Sequence, residues 1–104
     1  MNDAIERHKK MLEQNPDNEL TRFSLGKAYF DQGDFAVAKR HLALALANKP
    51  DWMVVQILLA RCDLNLGDKA AAKPALARAK ELAIKQGHVG PLAQVEELLK
   101  QVAD

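Results

Sequence analysis

Apolar residues recur at steps of three and four along most of this chain, the period of an α-helix rather than of a strand. The runs are cut by similar short turn signals: Asn15-Pro16-Asp17-Asn18, Gln32-Gly33-Asp34, Lys49-Pro50-Asp51 and Leu66-Gly67-Asp68. Between the first two, Leu20, Phe23, Leu25, Tyr29 and Phe30 predict a helix that runs to Asp31. Gly33 offers the left-handed residue that ends a helix, and Asp34 a side-chain acceptor for the first free N–H groups of the next. Phe35, Ala38, Leu42, Ala45 and Leu46 stripe that second helix, which must stop before Pro50.

Residues 51–66 and 68–86 repeat the plan, and Gly87 closes the second of these helices. Upstream, Asp3 can cap a short helix with Ile5, His8, Met11 and Leu12 on one face, ended by Pro16. Downstream, Gly90-Pro91 open a final amphipathic helix, since proline is tolerated in a first turn. Its apolar stripe is Leu92, Val95, Leu98, Leu99 and Val102, opposite Gln94, Glu97, Lys100 and Gln101. The pattern therefore predicts six helices. Pro74 falls inside the fifth: either that helix kinks there, or it begins late, near Ala71.

The turn signals keep a period. Pro16 and Pro50 are 34 residues apart, as are Gly33 and Gly67, and laying 17–50 over 51–84 gives ten identities. Most of them are turn residues or small apolar ones, the positions that packing would fix. The first unit, with Leu25-Gly26, Tyr29, Gly33-Asp34, Ala38, Leu42, Ala45 and Pro50, resembles the tetratricopeptide repeat, a 34-residue helix–turn–helix. It departs at Arg22, where the family usually has Trp; Phe23 beside it can supply the bulk. The second unit keeps Leu59, Gly67, Asp68, Ala72, Leu76 and Ala79, but has Gln56, Asp63 and Ile84 at the Trp, Tyr and Pro positions. Without that proline the helix is expected to run to about Gln86. The stretch before Pro16 resembles the second helix of a repeat whose first helix is absent.

The resemblance implies an all-α fold, antiparallel helix–turn–helix repeats stacked in a right-handed superhelix. It divides the chain into a half repeat at 1–16, a repeat at 17–50, a degenerate repeat at 51–84 and a capping helix at 88–104. It also implies that the first helix of each repeat lines the inner face. The exposed inner positions would be Leu20, Phe23, Lys27, Phe30 and Asp31, then Val54, Ile57, Arg61, Leu64 and Asn65. Lys27 and Arg61 occupy equivalent positions on neighbouring helices whose axes lie roughly 10 Å apart, close enough to address one acidic group. The family's clamp for acidic C-terminal peptides of heat-shock chaperones requires Lys and Asn where this chain has Phe23 and Lys27, and Asn where it has Leu58. That ligand is not expected.

Composition agrees with a helical protein. Among 104 residues there are 17 Ala and 15 Leu, but only 10 Val, Ile and Thr together. One Cys excludes a disulfide framework. A net charge of +1, with acids and bases balanced in each unit, argues against a nucleic-acid or membrane partner. The charged N-terminal stretch carries no secretory signal, so a cytoplasmic location is expected. The five glycines are isolated turn residues, not a phosphate loop. The three histidines lie far apart without metal-ligand spacing, and no nucleophile–base order is visible, so neither cofactor nor enzymatic activity is expected. Cys62 reads as a small buried residue. Asp63, standing in for an aromatic, is either partly buried beside a Lys or Arg, or tilted into solvent. The function expected is non-enzymatic binding of a peptide or partner helix in the groove. The alternative is structural self-association, a weak homodimer through the exposed N-terminal helix.

Overall fold

A computed structural model describes residues 3–102; the ends of the first and last predicted segments, 1–2 and 103–104, lie outside it. Its elements are α1 (Asp3–Gln14), α2 (Glu19–Asp31), α3 (Phe35–Asn48), α4 (Met53–Asn65), α5 (Lys69–Gln86) and α6 (Val89–Val102). Among the described residues all regular structure is helical. Each helix packs chiefly on its neighbours in sequence, with α2 also reaching α4, and the molecule measures 41 × 28 × 20 Å.

The punctuation works as its chemistry dictates. Gly33, Gly67 and Gly87 have φ of +85°, +80° and +71°. Asp34 accepts from the Val37 N–H at 3.4 Å, and Asp68 from the Ala71 N–H at 3.0 Å. Asn18 caps α2 in the same way, accepting from Thr21 at 3.1 Å. Two expected starts move. Asp3 lies inside the first turn of α1 rather than ahead of it. The late start of α5 is also overturned: capped by Asp68, it begins at Lys69 and carries Pro74 in its interior. The cap holds the three alanines before the proline in the helix, so the missing Pro74 N–H is borne mid-helix.

Small residues set the spacing between helices. Ala38, Ala45, Ala60, Ala72 and Ala79 are all fully buried, interleaved with Leu25, Leu42 and Leu76. Gly26 shows how tight the approach is, because a Cβ there would stand 2.9 Å from Cγ of Leu42. The core has two parts that share α4. Val55, Leu58 and Cys62 pack with α3, while Met53, Ile57 and Ala60 pack with α5 and α6. A helix buried on so many sides has little room for polar groups, yet α4 buries Gln56 and Asp63. Asp63 is paired: its Oδ1 lies 2.6 Å from Nζ of Lys39 on α3. Of the two arrangements open for Asp63, the buried one is present.

Two outcomes follow from this packing. Gly26→Ala should lower stability in urea unfolding by about 1 kcal/mol, since overpacking costs ~1–3 kcal/mol and alanine's helix propensity returns only ~1. Gly90→Ala, also helical but with nothing within 4 Å of its Cβ, should instead be neutral or stabilising. The Asp63 carboxylate raises the pKa of Lys39 above 10.5. The stabilisation from the pair is therefore complete below that pH and is lost as pH rises through the raised value. Thermal melts across about pH 9–12 should fall more steeply for the wild type than for a Lys39→Met/Asp63→Leu variant.

Candidate functional site

α2, α4 and α6 are separated in sequence by α3 and α5, yet residues from all three line one cleft, with further clefts beside it. The central one offers about 170 Å³, open to solvent, and is lined by Phe23, Lys27, Val54, Ile57, Leu58, Arg61, Pro91 and Gln94. Its wall is mostly apolar. Lys27, Arg61 and Gln94 are its polar members, and no carboxylate lines it. Phe23 is held in place by Trp52, which precedes α4, with ring centroids 5.1 Å apart. Trp52 is itself covered by the Lys49 ammonium, 5.2 Å from the ring.

Five of the ten residues expected to face a groove thus meet at one cavity: Phe23, Lys27, Val54, Ile57 and Arg61. Ile57 is a correction, since it is buried at 6% rather than exposed, and forms the floor. It turns inward because α4 serves the core shared with α5 and α6. Leu64 and Asn65 line a second cleft of about 310 Å³ with Arg61, Leu98 and Gln101. Asp31 lines a third, of about 280 Å³, against α1, where Lys27 is again a wall. Leu20 stands 64% exposed on the first turn of α2, outside these three clefts. Phe30 is also outside them, packed edge-on against Phe35 at 5.2 Å.

The two cations are held differently. Lys27 pairs with Asp31 one turn on, at 3.1 Å, with both side chains more than half exposed. Such a pair contributes little to stability and is easily exchanged. Arg61 makes no ion pair among the described residues. Its guanidinium lies over the Phe30 ring, 4.8 Å from the centroid, which fixes its plane while leaving donors at its edge. The Asn65 side-chain amide donates to the Arg61 carbonyl at 2.8 Å.

Sequence reasoning missed the part played by α6. It assigned Gln94 and Gln101 to the solvent side of a cap, whereas both line clefts, with Pro91 and Leu98 as the apolar members. The signal was available in the spacing. Phe23, Ile57 and Pro91 are 34 apart in turn, and so are Phe30, Leu64 and Leu98. The period continues into the last helix even though the turn signals have stopped.

Two titratable groups elsewhere are shifted by burial. Cys62 is completely buried, and burial pushes its thiol pKa up to about 11. His41 stacks on Tyr29 at 5.6 Å; burial, then the nearby Arg22, Arg40 and Lys9, lower its pKa below 6.5. Among the described residues no group of three or more His, Cys, Asp or Glu is placed to hold a metal ion, and no helix is long and apolar enough to cross a membrane.

This is the architecture of a helical-repeat protein with a cleft lined by three of its helices. Comparison with known proteins makes the class specific. The tetratricopeptide repeat family model matches residues 1–54. The TPR repeat-containing protein PA0015 of Pseudomonas aeruginosa is 39% identical over 71 residues, 68% of each chain. The chain belongs to the tetratricopeptide repeat family. Among solved structures, the solution structure of protein BPP2914 from Bordetella parapertussis is similar with a TM-score of 0.85 and 31% identity, over 98% of this chain and 89% of that one. PcrH from Pseudomonas aeruginosa has the same fold, with a TM-score of 0.87 at 21% identity, over 96% of this chain and 76% of that one. It has also been solved in complex with the chaperone binding region of PopD, where the TM-score is 0.88.

Burial of Cys62 has a direct readout. At about pH 8, iodoacetamide should modify the native protein at least ~100-fold more slowly than the urea-unfolded chain, followed by mass spectrometry. Equal rates would place the thiol at the surface.

Proposed function

We propose that this protein is a non-enzymatic interaction module that holds a segment of a partner protein, a peptide or a helix, in the cleft along α2, α4 and α6. The observation that carries the reading is the central cavity, an apolar wall from three helices with two cations and no acid. Apolar anchors supply affinity in such a groove, and the charges choose among partners. A protein of the same fold supports this: PcrH has been solved with a segment of PopD. The units proposed from the sequence, 1–16, 17–50, 51–84 and 88–104, then act together, because the cavity draws on α2, α4 and α6. A buried free thiol suits the reducing compartment in which such a module would work.

Pairing of two copies through α1 draws less support. Of its outward residues, Glu6, Arg7, Lys10 and Glu13 are exposed and charged, and Met11, 46% exposed, is the large apolar one among them. That leaves little apolar area for an isologous contact to bury.

The test is charge reversal. Lys27→Glu with Arg61→Glu should reduce recovery of the partner in affinity capture from the source cell by about tenfold, as expected when two rim charges turn repulsive. Circular dichroism should stay that of the wild type, because Lys27 is exposed and Arg61 half-buried. Unchanged recovery would reject the cleft.

A further inference from the structure

We propose that the central cavity is a receptor for one phenyl-sized side chain of the partner, carrying a carboxylate on the same or the next residue, and that Arg61 is the group that meets this carboxylate. The inference rests on the groove reading and names the chemistry of its occupant.

Size comes first. A cavity of 150 Å³ lined by aliphatic and aromatic groups is large enough to bind benzene. The space here is about 170 Å³, in a cleft open to solvent whose apolar walls are Phe23, Val54, Ile57, Leu58 and Pro91. That is room for a single ring against the wall. Rigidity comes second. Ile57 and Leu58 are fixed in the two halves of the core, and Phe23 packs against the Trp52 ring at a tilt of 45°, so the cleft is preformed and ordering it on binding costs little.

Charge comes third. The lining holds Lys27 and Arg61 without an acid of its own, so a bare apolar ligand leaves Arg61 unanswered and a cationic one is repelled. The cations are not equivalent. Lys27 already has a carboxylate, that of Asp31, at 3.1 Å. Asp31 thus competes with any acid the ligand brings to Lys27. Arg61 has its face on Phe30 and its edge donors unclaimed by any ion pair among the described residues, so it presents a fork that accepts a carboxylate without breaking an existing pair.

Two small probes separate the parts of the proposal: hydrocinnamate, a phenyl ring with a carboxylate, and phenylpropylamine, the same ring with an ammonium. Each is titrated into the full chain and followed by NMR of the methyl groups. Hydrocinnamate should shift the methyls of Val54, Ile57 and Leu58 saturably, with a Kd on the order of 1 mM for a ligand of this size. Phenylpropylamine should bind roughly 3- to 5-fold more weakly. Arg61→Gln should remove that preference, and Gln94→Phe should abolish both sets of shifts by filling the cavity. Gln94 is exposed on α6, so its replacement leaves the fold intact, which the remaining methyl spectrum reports.

Absence of saturable shifts, shifts centred on Leu64 and Leu98, equal binding of acid and amine, or indifference to Gln94→Phe would each overturn the assignment. The charge-reversal capture is independent. If capture is lost on charge reversal but the probes ignore the cavity, the groove reading stands and the ring receptor falls. If neither responds, both fall.

Discussion

Two helices approach only as closely as the side chains between them allow, and in this protein nearly everything depends on how close that is. Fully buried alanines at positions 38, 45, 60, 72 and 79 bring successive helices together, and Gly26 admits Leu42 where even a methyl group would collide. A single repeat of this kind cannot bury its apolar face alone, and stacking on the next one covers it. Close spacing is what lets α4 belong to two clusters at once, with Val55 and Leu58 on one side and Ile57 and Ala60 on the other. The cost of that position is a buried carboxylate, Asp63, which the Lys39 ammonium offsets from α3.

The cleft is a by-product of the same stacking. Because each helix packs chiefly on its chain neighbours, α2, α4 and α6 are left with seams between them. Phe23 and Val54 sit over one seam, and Pro91 and Gln94 close it from α6. The aromatic contact of Phe23 with Trp52 joins the first helix of one unit to the start of the next. The wall of the site is therefore set by packing between units, and the local sequence of any one helix does not determine it.

Much of this was legible beforehand, and the reasons differ by residue. Turns at Gly33, Gly67 and Gly87 were readable because only glycine takes a positive φ there at low cost, and the caps at Asp34 and Asp68 because a carboxylate one residue before a helix has one thing to bond. The small buried positions were readable from their recurrence. What failed was anything decided by tertiary context. The start of α5 hinged on whether the Asp68 cap and the three alanines after it outweighed the Pro74 defect, a balance that spacing cannot resolve. Ile57 looked like a groove residue by its period and became a floor because α6 covers it. The role of α6 itself was hidden because its amphipathic stripe is complete by the rule for an isolated cap. Its continuity with Phe23 and Ile57 appears only when the 34-residue register is carried past the last turn signal.

The order of helix contacts has one more consequence. Packing runs mainly between chain neighbours, α1 with α2, α2 with α3 and onward, while α2 and α4 touch thinly. The cleft, however, spans α2, α4 and α6, helices that are never consecutive. A segment lying across them would act as a splint, tying α2 directly to α6. Occupancy would then be felt along the whole stack, because a quasi-linear molecule that opens unit by unit would have to open as one piece.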